Sequence, residues 1–247
     1  MKTATEIEQY FLKLNLNEES YRYLKYHSKR YVLLLDIVRH LRTLFPENIK
    51  IMDVGPSFFT EILQKNFPED QIFTLGYDAI ASRGGHFPIG VNYNKNNHFV
   101  FDLNNSQDQK QWIKVPMCDI IILAEVIEHL YTSPILVLKF IDSFLKSGGF
   151  LVIQTPNAAS LLKRITLLIG RNPYEMIRED MLNPGHYHEY TKNELFTIAQ
   201  KIGYNVYWFK YSNYFNRLSK IEKIYGFVQK FTLPQLKDGM SLILQKP

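Results

Sequence analysis

Residues 118–124, "CDIIILA", contain five consecutive apolar positions from Ile120 to Ala124, rich in β-branched side chains and too short to span a membrane. Such a run is a strand buried on both faces, which demands covering layers on each side. Four further runs of this kind recur along the chain: "NIKIMDV" (48–54), "QIFTLGYD" (71–78), "HFVFDL" (98–103) and "GFLVIQT" (149–155). Helical patterns alternate with them. Between the fourth and fifth runs, "SPILVLKFIDSFLKSGG" offers a proline near a helix start, helix-spaced apolar residues and a Gly pair as a stop. "TKNELFTIAQKIGYNVYWFKY" repeats the logic, with Thr191 as N-cap, Glu194 as its capping-box partner and Gly203 at the helix end. A last strand, "MSLILQK", follows. This alternation predicts an α/β fold, a doubly wound, mostly parallel sheet with helices on both faces.

At 247 residues, 46% of them apolar, the chain suffices for one domain with elaborations. Its formal charge of +5 is spread through the sequence, which permits anionic partners without demanding them. Cys118 is the only cysteine, so neither an intrachain disulfide nor a cysteine-based metal cluster can form, and a reducing compartment is expected. The opening "MKTATEIEQYF" lacks a signal-peptide core, and no apolar run approaches the roughly 20 residues of a membrane span, so the expected location is cytoplasmic.

Three stretches lie outside the alternation. Residues 1–45 read as an N-terminal helical cap that includes the basic, aromatic "YRYLKYHSKRY"; residues 158–190 form a long connection; residues 212–231 are amphipathic. Around a cofactor-binding core at 46–157, with 191–247 completing the sheet, the two later stretches are expected to form a lid, because ligands of doubly wound sheets bind beyond the carboxyl ends of the strands.

The strand ends carry the chemistry. The first run leads into "DVGPSFF", where Gly55 lets a ligand approach the main chain before a helix starting near Ser57; alone, this reads equally well as an ordinary strand-to-helix turn. Asp78, 23 residues later at the tip of the second strand, stands where a carboxylate would hold a ribose diol. Asp102 in "FDLNN" could accept from an adenine amine or simply cap a turn.

The ordered series "IMDVG", "LGYD", "FDLN", "CDIIILAEVIEHL", "LKSGGFLVIQTPN" and "GHYHEYTKNELFTIAQKIGYNV" closely resembles class I S-adenosylmethionine-dependent methyltransferases over about residues 30–210. The resemblance implies a Rossmann-like seven-stranded sheet whose last strand is antiparallel, with S-adenosylmethionine across the strand tips. Carried over by residue, Asp53 and Gly55 match the first motif, Asp78 the ribose-binding acid, and Asp102 with Leu103 the adenine contact. The departure is "GPSFF", where relatives have further glycines; Ser57 can still approach the cofactor and Pro56 rigidify the turn.

"EVIEH" places Glu125, Glu128 and His129 three and four residues apart, which in a helical turn gathers them on one side. Three readings compete: the acids cap a helix and His129 packs against "TPN"; His129 is a general base beside the transferred methyl; or the group, with His186 of "GHYHEYT", resembles the divalent-ion site of small-RNA terminal 2′-O-methyltransferases and the similar pattern of ubiquinone-pathway O-methyltransferases. Glu125, His129 and His186 are the catalytic candidates, Glu125 also touches cofactor, and no residue is assigned to a metal. "TPNAASLLKRITLLIGRNP" followed by "HYHEYTKNEL" looks most like methyltransferases of bacterial polysaccharide and specialised-metabolite pathways, implying a small-molecule, glycan or peptide acceptor. Tyr187, His188 and Tyr190 are pocket candidates, although Tyr190 reads better as lid packing. RNA is the lesser reading of residues 21–31, a membrane surface the lesser reading of 212–231, and a cofactor-binding protein without activity is the contrasting class. If Asp78 holds the ribose, Asp78→Ala is expected to weaken S-adenosylmethionine binding by roughly 1.5–3 kcal/mol per lost hydrogen bond with the fold intact; calorimetry showing wild-type affinity in the folded variant would remove the assignment.

Overall fold

The computed structural model describes residues 1–14, 16–77, 95–180, 183–216 and 220–247. Helices α1 (Ala4–Phe11) and α2 (Glu18–Arg42) precede a seven-stranded sheet of β1 (Lys50–Val54), β2 (Gln71–Gly76), β3 (His98–Val100), β4 (Cys118–Ala124), β5 (Leu145–Pro156), β6 (Asn205–Ser212) and β7 (Gly239–Gln245). Interspersed are α3 (Phe58–Asn66), α4 (Pro134–Asp142), α5 (Leu161–Leu168), α6 (Lys192–Lys201) and α7 (Lys220–Val228). The strand order is β3-β2-β1-β4-β5-β7-β6. β7 runs antiparallel to both its neighbours and every other pairing is parallel. This is the Rossmann-like sheet with an antiparallel last strand that the resemblance implied. Among the described residues no helix is long and apolar enough to cross a membrane.

Alternation along each strand divides the core in two. On β4, Ile121 and Leu123 face one layer with Val137, Leu138, Phe140 and Ile141 of α4 and Leu195 and Ile198 of α6. Ile120 and Ile122 face the other, built with Leu34, Leu35 and Val38 of α2 and Phe58, Ile62 and Leu63 of α3. The period-2 projection of a strand explains why adjacent isoleucines enter different cores. α2 is long because its buried face repeats at helical spacing from Leu24 to Leu41, and Asn17 caps its start by accepting from the Ser20 N–H at 2.8 Å.

One expectation is corrected. The pair Gly148–Gly149 does not stop the preceding helix: α4 ends at Asp142 with Ser143 as its cap, and the glycines lie within β5. β4–β5 pairing has already begun upstream of them, where the Cys118 N–H donates to the Phe144 carbonyl at 2.8 Å. Gly148 has φ +75° and a Cβ on Gly149 would come within 2.9 Å of the Asp119 carbonyl, so the pair absorbs the register shift between Cys118 and Ile120.

Because the two layers are separated by the sheet, Leu35→Ala and Leu138→Ala should each cost about 2–5 kcal/mol and the double variant their sum within about 0.5 kcal/mol. Urea denaturation of the four proteins measures this; a coupling well above that margin would show that the layers share one packing unit.

Candidate active site

The strand order reverses between β1 and β4, so the connections that leave their carboxyl ends diverge and leave a crevice. On the β1 side, Gly55 adopts φ +77°, and a Cβ there would lie 2.6 Å from Cγ2 of Val126. The turn beyond it is tied to the strand. The Ser57 N–H donates to Oγ1 of Thr60 at 3.1 Å, and that hydroxyl donates to Asp53 at 2.6 Å. Ser57 Oγ in turn accepts from the Phe59 N–H, capping α3. Asp53 is 3% exposed, and burial pushes its carboxyl up to about 7. It lies behind the turn, while Gly55, Pro56 and Ser57 face a cavity of about 1050 Å³.

Asp102 and Leu103 line the same cavity. β3 stops at Val100, and Asp102 caps the following turn by accepting from the Asn104 N–H at 2.9 Å, with the Tyr77 hydroxyl at 3.3 Å from the same oxygen. Its capping role and its place on the wall coexist. Asp78 lies outside the described residues.

Past β4 the three ionisable groups part. Glu125 has φ +57°, the only non-glycine residue in the left-handed region among those described, and its N–H donates to the Gln154 carbonyl. That conformation turns the carboxylate into the crevice, where it accepts from the Tyr214 hydroxyl at 2.9 Å. A single 3₁₀ turn, Ile127–His129, then directs Glu128 and His129 to another point. There Glu128, His129 and His186 bring one ligand atom each within 4.8 Å of one another, and Glu125 does not belong to the group.

Glu128 is fully buried; one oxygen accepts from the Thr155 hydroxyl at 3.0 Å and the other, Oε1, has no partner among the described residues. Burial, and then the neighbouring Glu125 charge, hold its carboxyl well above the ordinary range, and burial raises Glu125 as well despite Arg30. His129 Nδ1 lies 2.9 Å from the Gly185 carbonyl, which can only accept, so neutral His129 presents Nε2 as its lone pair. His186 Nδ1 faces Glu189 at 3.1 Å, which fixes the same tautomer, and Glu189 is also paired with Lys163. Burial lowers both imidazoles, His186 to about 4.

The stretch 158–190 forms the far wall through Leu162, Lys163, Asn172, Arg178 and His186. It is fastened to the tip of β4 by the Tyr187 N–H, which donates to the Glu128 carbonyl at 2.8 Å. Tyr187 lines the cavity; Tyr190 is buried in packing, and exposed His188 bonds Glu194. From the amphipathic stretch 212–231, Phe215 reaches the cavity, whereas Ile224, Phe227 and Val228 of α7 are exposed.

Sequence reasoning passed over Arg30 and Tyr214. Arg30 lines the cavity at 2% exposure, and the signal was present: it shares the buried stripe of α2 with Leu24, His27 and Leu34, a position where a charged residue needs a reason. Tyr214 carried no local signal. Its ring packs where Gly239 would carry a Cβ, 2.3 Å from that point, and its hydroxyl reaches Glu125 across the sheet end.

The structure of an S-adenosylmethionine-dependent methyltransferase from Archaeoglobus fulgidus is similar over 92% of this chain and 100% of its own, with TM-score 0.56 and 16% identity. The N-methyltransferase NodS from Bradyrhizobium japonicum WM9, in complex with S-adenosyl-L-homocysteine, is similar over 98% of each chain, with TM-score 0.53 and 14% identity. A third, an S-adenosylmethionine-dependent methyltransferase from Mesorhizobium loti, covers 84% of this chain and 96% of its own at TM-score 0.53 and 12% identity. No curated protein matches the chain in sequence. A family model described as "Methyltransferase domain" matches residues 26–207. With that match over most of its length, and a crevice at the strand tips of the sheet those structures share, the chain belongs to the class I S-adenosylmethionine-dependent methyltransferases.

Proposed function

We propose that this methyltransferase acts on a hydroxyl, carboxyl or amine of a small or medium-sized acceptor, a specialised metabolite or glycan precursor, under a lid formed by residues 158–190. The observation that carries this reading is the two-sided cavity. Its volume of about 1050 Å³ reaches the top of the range of roughly 300–1000 Å³ usual for small-molecule pockets, so cofactor and acceptor have room side by side. Gly55, Ser57, Asp102 and Leu103 stand at one side, and His129, His186 and Tyr187 at the other.

S-adenosylmethionine supplies an electrophilic methyl group. The protein's part is to place the acceptor atom in line with it and to remove a proton. Positioning can account for roughly 7–11 kcal/mol of barrier lowering. Asp53 acts from behind, holding Thr60 and so the Gly55–Ser57 turn. Glu125 borders the cofactor with its orientation fixed by Tyr214. His129, its Nδ1–H held by Gly185, presents Nε2 to the acceptor as general base, and His186, held by Glu189, borders the same point. Exclusion of water is the task of the segment that the Tyr187 N–H fastens to Glu128.

A second reading is favoured by the approach of Glu128, His129 and His186 to within 4.8 Å and by the unpartnered Glu128 Oε1. In it the three groups hold a divalent cation that activates an acceptor hydroxyl. The Nδ1–H bonds of both imidazoles suit either reading, since each frees Nε2.

Chelation separates them. With His129 as base, exhaustive chelation should leave methyl transfer largely intact, and His129→Ala should lower turnover about 10²-fold or more while S-adenosylmethionine binding changes little. Because burial lowers the pKa of His129 below its ordinary 6.5, the imidazole stays neutral and competent at neutral pH. The rate should therefore fall only as the pH drops below about 6.5, and the variant should lack that acid limb. Activity lost on chelation and restored by manganese or magnesium, with His186→Ala behaving as His129→Ala, would establish the cation reading instead.

A further inference from the structure

Among the described cations that line the cavity, Arg30, Lys163 and Arg178, Arg30 alone has no carboxylate within ion-pair distance. It is 2% exposed. Its Nε donates to His27 Nδ1 at 3.1 Å, and its guanidinium carbon lies 4.9 Å from the centroid of the Tyr31 ring. Among the described residues, no hydrogen bond reaches its terminal nitrogens and no carboxylate lies within ion-pair distance of it. A guanidinium cannot escape burial by losing its proton. Its charge acts on Glu125 without touching it, so the terminal N–H groups at the cavity wall remain available to an anion that enters.

The surroundings fix where that anion sits. Arg30 faces the crevice between β1 and β4, close enough for its charge to act on Asp53 of β1 and on Glu125 at the tip of β4. Gly55, Pro56 and Ser57 border the same space, and no side chain intervenes at Gly55. Its base is immobilised. His27 is itself packed edge-on against Phe215 at 5.5 Å, and Asn216 closes over α2 by donating its N–H to the Tyr26 carbonyl at 2.8 Å. A planar fork of donors with a fixed Nε fits a carboxylate, which it can grip with two parallel N–H bonds.

We propose that Arg30 is the carboxylate anchor of the cofactor pocket, holding the α-carboxylate of S-adenosylmethionine with the terminal N–H groups that the protein does not use. This rests on the cofactor occupying the crevice. The methionyl end then lies under α2 beside Gly55, and the nucleoside extends toward Asp102 and Leu103. Arg30 thereby sets which end of the cofactor enters under α2, and it distinguishes intact cofactor from nucleosides that lack the amino-acid tail.

Calorimetry with S-adenosylhomocysteine and with 5′-methylthioadenosine, which keeps the nucleoside and lacks the carboxylate, tests the assignment. Arg30→Met should weaken S-adenosylhomocysteine by roughly 10- to 100-fold and leave methylthioadenosine within about twofold. Arg30→Lys should recover part of the loss. In the absence of ligand, Arg30→Met should melt no lower than the wild type, because it breaks no direct ion pair and keeps most of the side-chain volume. Wild-type affinity for S-adenosylhomocysteine in Arg30→Met overturns the proposal, as it would if Arg30 instead met a carboxylate of the acceptor. Equal weakening of both ligands, or a lowered melting temperature in both variants, also overturns it and makes Arg30 structural. Failure of the wild type to bind either compound would fell the cofactor reading itself along with the anchor, an outcome distinct from the others.

Discussion

β4 is buried on both faces, so every polar group that follows it must be satisfied at its carboxyl end. That constraint organises the site. The strand stops where Glu125 turns into the left-handed region, and the turn sends one carboxylate toward Tyr214 and the next toward Thr155. Strain of this sort costs of order 1–3 kcal/mol and persists where the surroundings over-determine it. Here the Gln154 carbonyl, Tyr214 and the close approach of Val126 to Gly55 supply that determination. Val126 is the hinge of the arrangement: its side chain lies where Gly55 would carry a Cβ, so the β1 and β4 tips are fitted to each other.

The electrostatics follow from the same burial. Two acids, Glu125 and Glu128, and the cations Arg30 and Lys163 act on one another in a region of low dielectric, where Coulomb forces reach further than at the surface. Lys163 is lowered to about 8 by burial, against the pull of Glu125 and Glu128, and it neutralises Glu189, the residue that orients His186. The stretch 158–190 thus contributes a positive group and an imidazole to a pole that would otherwise be acidic. A site of this kind responds as a unit: altering one charge shifts the proton occupancy of its neighbours.

Much of the fold was legible because a buried parallel sheet leaves a plain record. Ile120–Leu123 could be nothing but a two-faced strand, and the Thr191–Glu194 capping box, confirmed by the Thr191 N–H donating to Glu194 at 2.8 Å, marked its helix directly. Gly55 and Asp102 stood out because turns at strand ends need particular residue types. Gly148–Gly149 misled, since a glycine pair signals a break without saying whether a helix ends or a strand shifts register. Glu125, Glu128 and His129 were read with helical spacing, yet the positive φ of Glu125 cannot be deduced from a residue that ordinarily avoids it. Arg30 was readable from its place on the apolar stripe of α2. Tyr214 was not, because its partners lie 89 residues away at Glu125 and across the end of the sheet.

The packing of Tyr214 against Gly239 bears on how the enzyme comes to be active as it folds. β7 is inserted between β5 and β6, both of which precede it in the chain, so the sheet remains split until residues 239–245 are in place. The Tyr214 ring rests on the first residue of that strand while its hydroxyl holds Glu125. Pairings so remote in sequence form slowly, because loop-closure entropy is spent before the contacts form. A chain with β1 to β5 assembled already has the Gly55 turn and the β4 tip, but nothing fixes the Glu125 carboxylate. Competence therefore depends on the last strand: with β7 out of place the Gly55 turn and the β4 tip keep their own contacts, and the Glu125 carboxylate loses the Tyr214 hydroxyl that orients it.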